Sequence, residues 1–452
     1  MTNFSNARRR FFGTSGLAAL ASLGVVEKVN AIITQTVPSP PLTVLPPISS
    51  AALSIANFPR LPGEDEDSKR IQRGIAARLG GGVLNFPAGE YHIKQTVLLS
   101  SGVRIEGVGS ATIILLKGEN AHFRVHSTRN VAVVNLAFKG NGNDAIYADQ
   151  SKKSESDYGP KGLLISGVNF EDCGICLGYA DTEDLTILNN HLQGTNAGIF
   201  LDGCKKALIT GNTVSNRKSM HRGGISLVAH KSNSGAKECP VQNVIISNNI
   251  VHDCSESGIW IASGEYITVS GNHCFRNGLA ENAKPNPDGS FNGGSGIGLN
   301  NTHNDWKAKR VGITNNVCEK NNHDGIDINN GGPVRELHLI INGNACSSNV
   351  KTGIFLSYAQ SGTIVGNACE RNGTSGILVA HCGSFAISSN IATGNGTSGS
   401  TSKLDKGGLV LMDAHECALI GNICTISAEK SQELGISMLG NGKGNFSLGN
   451  VE

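Results

Sequence analysis

Gly353-Ile354-Phe355-Leu356, closed by Asn367-Ala368-Cys369, is one turn of a pattern that returns as Gly376-Ile377-Leu378-Val379 closed by Asn390-Ile391-Ala392. The closing Asn recurs at Asn190, Asn212, Asn249, Asn272, Asn316, Asn344, Asn367, Asn390 and Asn422, with a tenth at Asn450. Two residues after each of the first nine stands an apolar or thiol side chain, among them Cys274, Cys318, Cys346, Cys369 and Cys424. Several intervals are 22 to 28 residues and the longer ones carry insertions. A fixed unit with insertions at repeated corners is the signature of stacked coils. Each unit holds runs of three to five residues divided by Gly, Asn and Ser, which read as strands, too short for helices. The expectation is an all-β, single-domain parallel solenoid.

A chain of 452 residues would ordinarily suggest about three domains, but stacked coils share one continuous core. Gly at 58 residues and aromatics at 5% suit tight turns around a narrow interior. A net charge of +2 argues against nucleic acid as a partner, which needs a clustered basic face. After the N-terminus no run approaches the roughly 18 apolar residues of a membrane span. Of the twelve Cys, five share one column of the repeat. Side by side on parallel strands they read as buried thiols acting as small apolar groups, since in-register Cβ vectors suit a disulfide poorly. Cys173 and Cys176 make a lone Cys-x-x-Cys, a weak zinc or redox signal.

Ala7-Arg8-Arg9-Arg10-Phe11-Phe12, ahead of a mildly apolar run from Gly13 to Val26, resembles a twin-arginine export signal, read by a receptor. Residues 1–31 are assigned to that signal, with Val29-Asn30-Ala31 as the candidate cleavage site. The resemblance implies the twin-arginine export machinery as a partner and a periplasmic or secreted protein, folded first in a reducing cytoplasm that keeps its thiols free. Residues 32–62 read as a Pro-rich linker, since Pro locks φ and lacks a donor. The β-solenoid is assigned to residues 63–452. At its start, residues 64–79 place acidic side chains early, Arg later, and Ile71, Ile75 and Leu79 four apart. That predicts a short amphipathic helix capping an end whose bare strand edges would otherwise template aggregation.

The Asn column has a physical reason: Asn tolerates left-handed backbone angles at a bend, and stacked carboxamides form a ladder along the axis. In Gly-Ile-x-Leu, Ile and Leu point inward, so x and the residue after Leu point outward. The first outward column includes Phe200, Trp260, Asp327 and Phe355, and the second includes Asp202, Asn300 and Asn329. Aromatic rings along a sheet are a platform for the apolar faces of sugars. Phe200, Asp202, Trp260, Asn300, Asn329 and Phe355 are therefore the candidate substrate-binding residues. The insertions at 231–240, 275–294 and 303–310 flank the same sheet and would wall a groove there. His221-Arg222, His230, His303 and His381 read as scattered corner residues.

The coil that departs most from the repeat is Asn321-Asn322-His323-Asp324-Gly325-Ile326-Asp327-Ile328-Asn329-Asn330. It puts Asp327 where other coils put Phe or Trp, beside His323 and Asp324, with Lys351 one coil on at the position of His323. Two carboxylates, an imidazole and an ammonium can supply acid, base and charge neutralisation. Asp324, Asp327, His323 and Lys351 are thus the candidate catalytic residues. No clustered metal-ligand spacing stands out, although Asp202 and Asp327 could share Ca2+ with a substrate carboxylate.

The repeats, together with Gly80-Gly81-Gly82-Val83-Leu84-Asn85-Phe86-Pro87-Ala88-Gly89-Glu90-Tyr91, resemble a right-handed parallel β-helix of the pectin-lyase-like superfamily. That superfamily includes pectate lyases, polygalacturonases, mannuronan epimerases and phage tailspikes. Asn322-His323-Asp324-Gly325-Ile326-Asp327 is similar to the Asn-Thr-Asp-Gly-x-Asp motif of polygalacturonases, which aligns Asp324 with a catalytic carboxylate. The Asp-Asp pair, Gly-His-Gly and Arg-Ile-Lys motifs of that family are missing, as is the Asp-Pro-His-Asp motif of the epimerases. The resemblance implies an exported carbohydrate-active protein that cleaves or epimerises a uronate-containing polysaccharide. A hydrolase would use Asp324 and Asp327 about 6.5–9.5 Å apart if inverting, and a lyase or epimerase would use His323 or Lys351 as base. The alternatives are a non-catalytic glycan-binding or surface scaffold protein and an accessory protein of copper-enzyme maturation.

Overall fold

The structure, a computed structural model, describes residues 52–451 apart from 141, 143, 149–158, 179–180, 195–197, 216–222, 229–240, 279–293, 301–307, 330–334, 401 and 426–431. Three sheets of 15, 13 and 12 strands run along the axis. A complete coil contributes one strand to each sheet: in one, Ile326–Asn329, Arg335–Asn342 and Ala345–Ser347. Pairing between successive coils is parallel and in register, so Ile297, Ile326 and Ile354 form one row, and Gly298, Asp327 and Phe355 the next. This is the all-β parallel solenoid that the repeat predicts.

The period-2 alternation builds the core. Ile259, Ile297, Ile326 and Ile354, with Ile261, Leu299, Ile328 and Leu356, point inward and are fully enclosed. Cys274, Cys318, Cys346 and Cys369 stack beside them as buried free thiols, and the register pairs each with the next. Burial pushes the Cys204 thiol up to about 12. The Gly that opens each strand is required by space. A Cβ on Gly325 would sit 2.6 Å from the Gly353 carbonyl oxygen and 2.9 Å from the Cys346 Cβ.

The Asn column is a continuous hydrogen-bonded ladder. Asn316 Oδ1 accepts the backbone N–H of Asn272 at 2.9 Å and its side-chain amide at 3.0 Å. Asn316 Nδ2 in turn donates to Val269 O and to Asn344 Oδ1. The same bonds run from Asn190 to Asn450. The left-handed angle at this bend belongs to the residue before each ladder Asn: φ is 55° at Asn315, 53° at Asn248 and 65° at Gly343. The conformational reason expected for the Asn therefore applies one position earlier. The ladder Asn is there for its carboxamide.

A second ladder, unread in the sequence, runs Asn277, Asn321, Asn349, Asn372 and Asn395 and ends on Gln432. Its members stand five residues after members of the first, at the corner leading into the Gly-Ile-x-Leu strand.

The N-terminal helix is Ser68–Ala76, shorter than expected, and buries Ile71 and Ile75 against Ile55 and Leu84. Leu79 lies past its end, 77% exposed. Asp67 ties this cap to the first coils by accepting hydrogen bonds from Arg60, Arg70 and the His92 backbone. Residues 53–57, inside the segment read as linker, form the strand Leu53–Ser54, paired with Gly82–Asn85, and a 3-10 turn. No helix among the described residues is long and apolar enough to cross a membrane.

Removing a ladder amide from mid-solenoid strands buried donors and an acceptor. Asn316→Ala should cost about 3 kcal/mol or more in urea unfolding. Asn450→Ala, at the last rung where water can substitute, should cost under about 1 kcal/mol.

Candidate active site

The second ladder builds the corner that holds the site. Asn321 receives the amide of Asn277 and donates to Asn349. This fixes the turn at which His323-Asp324-Gly325 enters the Ile326–Asn329 strand. The Lys351 N–H donates to the His323 carbonyl at 3.0 Å, placing Lys351 directly over His323 on the next coil. In the two coils before and the two after, the residue before the strand Gly is a small hydroxyl: Ser257, Ser295, Thr352 and Ser375. Asp324 is the one carboxylate in that row. Alternation fails at the corner, so its side chain turns to the same side as Asp327.

Asp324 is enclosed and satisfied. Its Oδ1 accepts the Thr352 N–H at 2.6 Å, and its Oδ2 lies 2.7 Å from His323 Nδ1. Asp327 Oδ2 lies 3.9 Å from the same nitrogen, and Ser295 Oγ lies 3.4 Å from it. Asp327 Oδ1 is buried with no hydrogen-bond partner among the described residues. Burial, helped by the charge of Asp324 and opposed by His323 and Lys351, pushes the Asp327 carboxyl up to about 7. Burial works against the imidazolium of His323, but the hydrogen bond and charge of Asp324, with Asp327, outweigh it and raise its pKa. The arrangement is a proton-transfer unit. Asp324 fixes Nδ1 as the donor side of the ring, leaving Nε2 for chemistry, and Asp327 can gain or lose a proton near neutrality.

His323 Nδ1 and one oxygen of each Asp lie within 4.8 Å of one another, close enough to grip a cation. Two features oppose that use. Nδ1 is engaged by Asp324, and the positive charge of Lys351 acts on both His323 and Asp327. Ca2+ shared by Asp202 and Asp327 does not fit. Their strands are four positions apart in the sheet, about 19 Å at the usual spacing. The hydrolase expectation meets a similar limit. The two carboxylates are closer than the roughly 6.5–9.5 Å an inverting pair needs to admit water, and the Asp324 side chain is only 3% exposed.

The remaining candidates divide. Phe200, Trp260 and Phe355 are half-buried along the outward row, Phe355 adjoining Asp327 and Trp260 two strands away. Ser226 and Val410 in that row are buried, so it is not open along its whole length. Asp202, in the second outward column, is covered by its neighbours and only 3% exposed. Asn329 is half-buried and its Oδ1 accepts from Ser357 Oγ at 3.2 Å. Asn300 pairs in register with Asn329. The insertions at 231–240 and most of those at 275–294 and 303–310, with His221, Arg222, His230 and His303, lie outside the described residues. His381 stacks on Tyr358 in another part of the molecule. Glu256 was missed, and burial alone pushes its carboxyl up to about 7.

The family model of the right-handed β-helix region matches residues 101–284, 173–338 and 286–450. Among solved structures, the chain is similar to the A-module of mannuronan C-5 epimerase AlgE4 from Azotobacter vinelandii. The identity is 15%, over 88% of this chain and 97% of that one, with a TM-score of 0.50. The A-module of AlgE6 from the same organism gives 15% identity, 88% and 98% coverage and a TM-score of 0.51. The catalytic domain of Agl-KA gives 13% identity, 90% and 70% coverage and a TM-score of 0.55. At such identities the likeness is one of fold. No curated protein matches the sequence.

An Asp held above its usual value binds its proton more tightly folded than unfolded. Its contribution to stability is therefore present below about pH 4 and is lost as pH rises through about 7. Asp327→Asn should unfold like the parent at about pH 4 and be more stable by about 1–3 kcal/mol at about pH 8. Thermal melts across that range read the difference, and a smaller slope of the same sign should persist from His323.

Proposed function

The chain belongs to the right-handed β-helix family, and on that premise we propose that it is an enzyme that removes the C5 proton of a uronate unit in a polysaccharide. His323, Asp324, Asp327 and Lys351 are its catalytic residues. The observation that carries this reading is Asp327, one oxygen buried without a partner, beside an imidazole that Asp324 orients. Such an arrangement lowers stability, and strained or costly groups concentrate where chemistry is done.

The chemistry follows from the groups. A C5 proton is weakly acidic until the adjoining carboxylate is neutralised, a role suited to the ammonium of Lys351. His323 Nε2 or the Asp327 carboxylate takes the proton, and the electron pair passes into the sugar carboxylate as an enediolate. If the C4–O4 bond then breaks, the product is an unsaturated uronate; if C5 is reprotonated from the other face, the sugar is inverted. Trp260 and Phe355, half-buried on either side of Asp327, supply apolar faces for neighbouring units, and Phe200 extends the row.

We further propose that residues 1–31, outside the described residues, direct the folded protein through the twin-arginine machinery to the periplasm or beyond. Lysine at both Arg8 and Arg9 should stop export of a fused reporter while leaving its synthesis intact; continued export would discard this signal.

The catalytic reading is tested with alginate, polygalacturonate and polyglucuronate as substrates. The wild type should raise the unsaturated-uronate absorbance or incorporate solvent deuterium at C5, and Asp327→Ala should lower either rate by about 10²-fold or more with its circular dichroism unchanged. Binding with neither product nor exchange would instead support a glycan-binding scaffold using the Phe200, Trp260 and Phe355 row.

A further inference from the structure

We propose that the outer face of the 12-stranded sheet docks a second copy of this chain, antiparallel, about a two-fold axis between Ala345 and Ala368. This face is separate from the sheet that carries Asp327, so the association stands whatever reaction that site performs.

One outward column marks the face. The register joins Ile250 to His273 and Val317, then runs through Ala345 and Ala368 to Ile391. Single bridges carry it on through Ile423 to Val451. The next residue of each strand, such as Val251, Cys318 or Cys369, is buried in the core, so alternation turns the column outward. Ile250, Val317, Ile391, Ile423 and Val451 are each between 39% and 53% exposed. Five of the twelve large apolar side chains left exposed among the described residues thus stand in a single file. Further toward the N-terminus the same column is polar, with Asn169, His191 and Thr213. Apolar side chains scattered singly over a surface need no explanation, but a contiguous file of them marks an interaction.

The neighbours of the column say what covers it. It holds no aromatic ring for a sugar to stack on, and Phe275 beside it is already in contact with the rings of His252 and His273 and the Arg276 guanidinium. The flanking charges are paired within the chain, Arg276 with Asp253, His273 with Glu319 and Arg371 with Glu370. An anionic membrane requires clustered unpaired cations instead. What remains is an aliphatic surface that fits another like itself. From Ile250 to Val451 it crosses seven strand spacings, about 34 Å, and the five residues between the two Asn ladders span about 17 Å. Such a face covers about 600 Å² on each copy, about 1,200 Å² in all, the lower end of specific interfaces. The dimer is therefore a reversible one.

Charge selects the register. In the adjoining outward column Glu319, Ser347, Glu370 and Thr393 follow one another. An antiparallel pair centred on Ala345 would set Glu319 against Glu370 of the second copy, and one centred on Ala368 would set Glu370 against itself. Centred between the two Ala, Glu319 meets Thr393 and Ser347 meets Glu370, so no like charges face each other. The same axis brings the short Ala side chains together at the middle, Val317 against Ile391 and Ile250 against Val451. The contact is isologous, as closed dimers are.

Sedimentation equilibrium of the full chain from about 1 to 100 µM tests this, with wild type, Val317→Glu, Ile391→Lys, the double variant and Leu98→Lys. Leu98 is exposed on a different sheet. The wild type and Leu98→Lys should pass from monomer to dimer over this range. Each single variant should weaken association by about tenfold or more with an unchanged melting temperature. The double variant should regain most of it, because each introduced carboxylate then faces an introduced ammonium across the two-fold axis. A wild type that stays monomeric, single variants that dimerise as the wild type does, or a double variant no better than the singles overturns the proposal. Vesicles of phosphatidylglycerol and phosphatidylethanolamine are sedimented with the same set. A monomeric wild type that they carry down, and that the single variants release, gives the face to lipid instead.

Discussion

A carboxamide that donates and accepts along one axis is the interaction on which this molecule is built. Each ladder Asn takes two donors from the coil before it and gives its own amide to the coil after it, buried where no water can substitute. An error of one residue in the coil-to-coil register would break these bonds and turn each Ile inside out at once. The register is therefore fixed twice over, by amides at two corners and by the apolar rows between them. That fixity lets positions on different coils be treated as columns with a known spacing.

The site is a local edit of the columns. The row that holds Ser257, Ser295, Thr352 and Ser375 receives one Asp, the row that holds Trp260 and Phe355 receives another, and the corner beside them receives His323. None of these changes disturbs the backbone, because the ladders and the inward Ile residues carry the fold through the same coil. Asp324 keeps the structural part of its row, since its Oδ1 still caps the next coil at the Thr352 N–H. Its second oxygen is then available to orient the imidazole. One residue thus joins scaffold to chemistry, and Asp327, with an oxygen left unpartnered, bears the energetic cost.

Most of the architecture was legible because its physics repeats. The Asn190-to-Asn450 column, the thiol row and the inward Ile rows recur often enough to be seen in one sequence. The His323, Asp324 and Asp327 group was legible for the opposite reason, as the coil that breaks the pattern. The second ladder is harder to see, although Asn321, Asn349 and Asn372 stand at a constant offset from the first, because Asn321 sits in the coil that breaks the pattern. The covering of Asp202 was not legible, because alternation says which way a residue points, not whether neighbours cover it. Glu256 left no trace, since a single Glu at a corner has no signature.

Gly278 and Gly294, the residues bounding the excursion at 279–293, approach so closely that a Cβ on Gly278 would lie 2.6 Å from the Gly294 Cα. The chain thus leaves the solenoid and returns to it at nearly the same point, and the rungs on either side, Asn277 and Asn321, remain joined. Variation in the length or composition of this excursion is hidden from the scaffold. Evolution can rewrite this excursion without renegotiating the fold, and lineages with the same coils can be expected to differ most between these two glycines.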